Sequence, residues 1–110
     1  MYKAILVTAG TELQTLADLI AISIRRGHGV RLQAGGATDV HLAVQAIAQA
    51  GIYLAYDGLE IGFVSGFVEA GKHIDAESAM YLYVDRPNRL FNSPPEDVMP
   101  VDCTDQPSDD

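Results

Sequence analysis

Apolar and polar positions along the chain fall into two rhythms that take turns. Residues 3–8 form a compact apolar run suited to a central strand. From Thr11 the spacing lengthens to that of a helix, with Leu13, Leu16, Ala17, Ile20 and Ile24 on one stripe. Gln14 stands three residues after Thr11 as a capping box requires, Arg25-Arg26 complement the C-terminal dipole, and Gly27 stops the helix. Val30, Leu32 and Ala34 then alternate with Arg31 and Gln33, the period of a half-buried strand. Gly35 and Gly36 allow a tight turn, and Thr38 or Asp39 is placed to cap a second helix over residues 38–50. Its expected core face is Val40, Ala43, Val44, Ile47 and Gly51. After the turn Tyr56-Asp57-Gly58, Leu59, Ile61 and Phe63 alternate as a third strand. Residues 66–78 read as a loop or long hairpin tip. Residues 79–85 form a fourth strand, with Met80, Leu82 and Val84 opposite Tyr81 and Tyr83.

The order β-α-β-α-β-β predicts an α/β fold of the two-layer α+β sandwich type, with a four-stranded mixed sheet and both helices on one face. Leu19 and Ile22 fall outside the first helix's stripe, and Leu42, Ile52, Tyr53 and Tyr56 add further apolar surface. That excess suits self-association, so a homodimer at least is expected.

Composition divides the chain near Arg86. The 110 residues carry a net charge of −8 and all five prolines follow Arg86. Residues 1–86 hold a net −3 and residues 87–110 a net −5. The expectation is one domain over 1–86 and an acidic, proline-rich tail over 87–110, disordered or loosely docked. Leu90-Phe91 and Val98-Met99 are the tail's sticky points, and the tail offers a surface for a protein partner. No apolar run approaches the roughly 20 residues of a membrane span, and the N-terminal run is too short for a signal peptide. A cytoplasmic protein without membrane contact is expected. The single cysteine, Cys103, excludes an internal disulfide.

The search for chemistry returns little. His28, His41 and His73 have no second ligand at metal spacing and read as surface histidines. Ser23, Ser65 and Cys103 lack a nucleophile's partners, and Glu60, Glu69, Asp75 and Glu77 read as a solvated rim. The Gly35 to Thr38 turn is neither a dinucleotide fingerprint nor a P-loop. No catalytic residue, cofactor or metal site is expected.

The stretch Gln33-Ala34, the small residues Gly35 to Ala37, Ala43-Val44 and Ala46 to Ala48, with the closing Val84-Asp85-Arg86, resembles the stage V sporulation protein S family. That resemblance covers residues 3–86 and implies an Alba-like fold, a regulatory, non-enzymatic role and binding of nucleic acid. The family usually has lysine where this chain has Gln45. Arg25, Arg26, Arg31 and Lys72 are the bases that would carry nucleic-acid contact, and Tyr81 and Tyr83 offer rings for base stacking. Affinity for nucleic acid comes largely from neutralised phosphates, and a net −8 repels a polyanion at long range, so weak RNA or DNA binding is expected. A homo-oligomeric interaction module that binds no nucleic acid stands as the alternative.

Overall fold

The computed structural model describes residues 2–67 and 79–92. The element order is β1 (Tyr2–Val7), α1 (Leu13–Arg25), β2 (Gly29–Gly35), α2 (Ala37–Ala55), β3 (Gly62–Phe67), β4 (Ala79–Asp85) and a short α3 (Pro87–Asn92). The four strands form one sheet in the order β1-β2-β4-β3. β1 runs parallel to β2, whereas β2–β4 and β4–β3 are antiparallel. This is the expected mixed sheet, and α1 and α2 pack on each other and on β2.

The core lies between that helix pair and one sheet face. Val30, Leu32 and Ala34 of β2 meet Val84 and Leu82 of β4 in register, with Val7 beside them. Leu16, Ala17, Ile20, Ala21 and Ile24 of α1 cover them, together with Ala43, Ala46, Ile47, Ala50 and Leu54 of α2. Five alanines in this contact let the helices approach the sheet and each other closely. The α2 face is rotated from the expected one: Val44 is 38% exposed, and Ala46, Ala50 and Leu54 take the buried positions. The cause is length. α2 runs to Ala55 rather than Ala50, so its C-terminal half, anchored by Leu54, sets its rotation.

Both helix starts differ from expectation. α1 has Glu12 at its N-cap with no side-chain bond. Thr11 instead turns back to Thr8, whose backbone N–H donates to Thr11 Oγ1 at 2.9 Å. Gln14 donates to Asp18 Oδ1 and to the Tyr53 hydroxyl, so no capping box forms. α2 is capped by Gly36 at φ +86°, a conformation that favours glycine, and Thr38 and Asp39 lie inside the first turn. The helix ends follow the expected glycine logic. His28 N–H reaches Ser23 O at 2.9 Å beyond Gly27, and Leu59 N–H reaches Leu54 O at 3.0 Å beyond Gly58.

β3 begins at Gly62, three residues later than the alternation of Leu59, Ile61 and Phe63 implied, and extends to Phe67. Leu59 and Ile61 pack against the core as the connection into it. Most of the expected loop, including Lys72 and His73, lies outside the described residues, as do residues 93–110 of the expected tail. Immediately after β4, Pro87 opens α3, where its missing N–H costs no helical bond. Leu90 of α3 is 1% exposed and Phe91 is 67% exposed.

Candidate nucleic-acid interface

Strand alternation sends every second side chain to the face away from α1 and α2. On β2 these are Arg31 and Gln33. In register they meet Tyr83 and Tyr81 of β4 on one side, and Ala4 and Leu6 of β1 on the other. Among the described elements only α3 packs on this side, and at one end: a Cβ at Gly62 would lie 3.8 Å from Leu90 Cδ1. The rest of the face is open enough to leave Leu6 63% exposed.

Three tyrosines tile the face. Tyr2 and Tyr83 meet edge to face at 5.4 Å between ring centroids, and Tyr83 and Tyr81 at 5.9 Å. The Arg31 guanidinium lies 4.9 Å from the centre of the Tyr81 ring, within cation–π range. Tyr83 is 2% exposed, so its ring belongs to the packing and presents no surface on which a base can stack. Tyr81 is half-buried and Arg31 covers it. A shallow pocket of about 210 Å³ lies beside them, lined by Ala4, Leu6, Arg31 and Gln33 together with Ile5.

At the α3 end the face closes around Gly29. A Cβ there would sit 2.6 Å from Tyr2 Cε2 and 2.8 Å from Asp85 Oδ2, so only glycine admits both the ring and the carboxylate. Burial, with the Asp85 charge and the hydrogen bond to Asp85, pushes the Tyr2 hydroxyl up to about 12. Asp85 is 3% exposed. Its Oδ1 also accepts from Arg86 N–H at 2.8 Å and faces Arg89 Nη1 at 3.4 Å. Arg89 Nη1 reaches on to Gly27 O at 2.7 Å, tying α3 to the end of α1. The sequence offered one sign of this cluster, an acid at the end of an otherwise apolar strand, four residues before a base.

The expected binding residues do not gather on one surface. Arg31 is on the open sheet face. Arg25 belongs to the helical layer on the other side, and its Nε is 2.6 Å from Asp57 Oδ2, with both side chains about half exposed. Arg26, the C-cap of α1, is exposed and lines a different pocket with Tyr2, Lys3, Ile22, Ser23 and His28. Lys72 lies outside the described residues. Reading along the sequence missed the close packing at Gly29, because Tyr2, Gly29 and Asp85 meet only when β1 and β4 pair with β2. Among the described residues no group of three or more His, Cys, Asp or Glu is placed to hold a metal ion, and no helix is long and apolar enough to cross a membrane.

The family model described as stage V sporulation protein S matches residues 3–86, from the second residue of β1 to one residue beyond β4. A search of curated proteins finds no match.

Proposed function

The chain belongs to the stage V sporulation protein S family, a sporulation-related regulatory family not known as enzymatic, and from that premise we propose that it acts by binding, without catalysis. The binding surface in this reading is the open sheet face, and its ligand is single-stranded RNA or DNA. One observation carries it: Arg31 over the Tyr81 ring, beside Gln33 and the exposed Leu6, on a sheet face that α1 and α2 leave uncovered. A guanidinium within cation–π range of a ring supplies both a phosphate partner and a plane for base stacking. Gln33 adds hydrogen-bonding groups for a base edge.

The charge balance makes such binding weak and salt-sensitive. Arg25 is offset by Asp57, and six carboxylates follow Asn92. Fluorescence anisotropy with a labelled single-stranded oligonucleotide at low salt tests the reading. Arg31→Glu should abolish measurable binding, and a chain ending at Asn92 should bind more tightly and with a steeper salt dependence. Absence of binding by both the full chain and the shortened form would remove the nucleic-acid reading.

A second reading rests on a separate observation. Leu19 and Ile22 on α1, with Ile52 and Tyr56 on α2, are 38%, 42%, 56% and 87% exposed on the helical layer. That surface suits a homodimer, compatible with the first reading because a dimer can present two sheet faces. Light scattering at micromolar concentration in physiological salt decides it, and a monomeric mass counts against it. Cytoplasmic location belongs to the same proposal.

A further inference from the structure

The pocket of about 340 Å³ where β1 begins and α1 ends is lined by Lys3, Arg26 and His28, with Tyr2, Ile22 and Ser23 completing its wall. Among the described residues no carboxylate lines it, in a chain whose net charge is −8. The neighbouring bases are engaged elsewhere: Arg25 pairs with Asp57, and Arg89 with Asp85. Lys3 and Arg26 make no ion pair among the described residues.

A helix C-terminus ordinarily repels anions, because its last carbonyls point outward. Here three of those carbonyls accept hydrogen bonds. Arg26 N–H bonds Ile22 O and Ser23 O at 3.1 Å, Gly27 N–H bonds Ile24 O at 3.0 Å, and His28 N–H bonds Ser23 O. Arg89 covers Gly27 O as well. Those carbonyls are thereby satisfied within the chain, and the cationic side chains of Lys3 and Arg26 supply the positive potential. The volume lies at the lower end of the roughly 300–1,000 Å³ of small-molecule sites. Ile22, 42% exposed, supplies an apolar wall.

We propose that this pocket binds a phosphate monoester, held by Lys3 and Arg26 with a hydrogen bond from His28, its organic portion lying against Ile22. Two fixed positive charges match a dianion, and an arginine fork suits phosphate oxygens. The site is separate from Arg31 and does not depend on the sheet-face reading. The phosphate has two sources, a free mononucleotide-sized molecule or the 5′ end of a nucleic-acid strand.

The test is a titration of the full chain, followed by heteronuclear NMR and calorimetry. The probes are AMP, inorganic phosphate, and one short oligonucleotide with either a 5′-phosphate or a 5′-hydroxyl. Saturable binding of AMP with shifts at Lys3, Arg26 and His28 supports a small-molecule site. A preference for the 5′-phosphorylated strand over AMP, with the same shifts, supports a strand-end site. In either case Arg26→Gln and Lys3→Gln should each weaken binding about tenfold, the effect of one charge-assisted hydrogen bond. Arg25→Gln, the same charge change one residue away but outside the pocket, should change it less than about twofold. Both pocket side chains are exposed, so circular dichroism should report an unchanged fold. No saturable binding at millimolar probe, or equal losses from Arg25→Gln and Arg26→Gln, overturns the proposal.

Discussion

Leu90→Ala and Phe91→Ala form a pair that tests how far the folded unit extends beyond Arg86. Leu90 is 1% exposed and its Cδ1 packs over Gly62, whereas its neighbour Phe91 is 67% exposed. Truncating a buried leucine removes its transfer free energy and leaves a cavity, at a cost of about 2–5 kcal/mol. Leu90 sits on a six-residue helix at the rim of the sheet, where α3 can settle into part of the void. The expected loss is therefore at the low end, about 2–3 kcal/mol. For a domain of this size that corresponds to a fall of roughly 8–24 °C in melting temperature. Phe91→Ala should change stability by no more than about 0.5 kcal/mol, although it deletes more apolar atoms. Urea denaturation of both variants, followed by far-ultraviolet circular dichroism, measures the difference as a shift in midpoint at constant slope. Equal effects from the two, or a Leu90→Ala loss below about 0.5 kcal/mol, would refute the docking of α3 as a part of the core.

Three other perturbations have definite expected outcomes. Gly29→Ala places a Cβ within 3 Å of the Tyr2 ring and the Asp85 carboxylate, and should destabilise by about 1–3 kcal/mol in the same denaturation assay. The Tyr2 hydroxyl, raised to about 12 against an ordinary 10.0, favours the fold while protonated. Its contribution is full below pH 10 and lost as pH rises towards 12, because the unfolded chain ionises first; the midpoint should fall across that window in the parent and less in Tyr2→Phe. Arg25→Gln breaks an ion pair whose side chains are 45% and 46% exposed, so it should cost no more than about 1 kcal/mol, and less in high salt.

Alternation and helical spacing determined most of the architecture, because each reflects a local geometric period that burial on one side makes visible. Residues 79–85 show this best: Leu82 and Val84 are buried on the helix side, with Tyr81 and Tyr83 on the other, as their spacing implies. The mixed four-stranded sheet with both helices on one face followed from element order and from the family resemblance, and the match over residues 3–86 agrees with that resemblance. Gly27 was legible as a helix stop and Gly58 as a turn, because a left-handed residue at such a place has a strong compositional preference.

Other features depended on the tertiary structure. The rotation of α2 about its axis came from Leu54, beyond the expected helix end, and alanine-rich helices carry too little contrast between faces to fix rotation from sequence. Capping at Thr11 gave way to a Thr8–Thr11 turn, since a hydroxyl that satisfies a loop N–H is no longer available to the helix. The candidate sites were the least legible. Four bases chosen along the chain proved to lie on different surfaces where described, because whether Arg25 and Arg31 share a face depends on how α1 packs on the sheet. Lys3, Arg26 and His28 meet only because the parallel pairing of β1 with β2 brings the start of one strand beside the end of the helix that precedes the other. Local period is written in neighbouring residues; the meeting of distant residues depends on packing, and binding chemistry resides there.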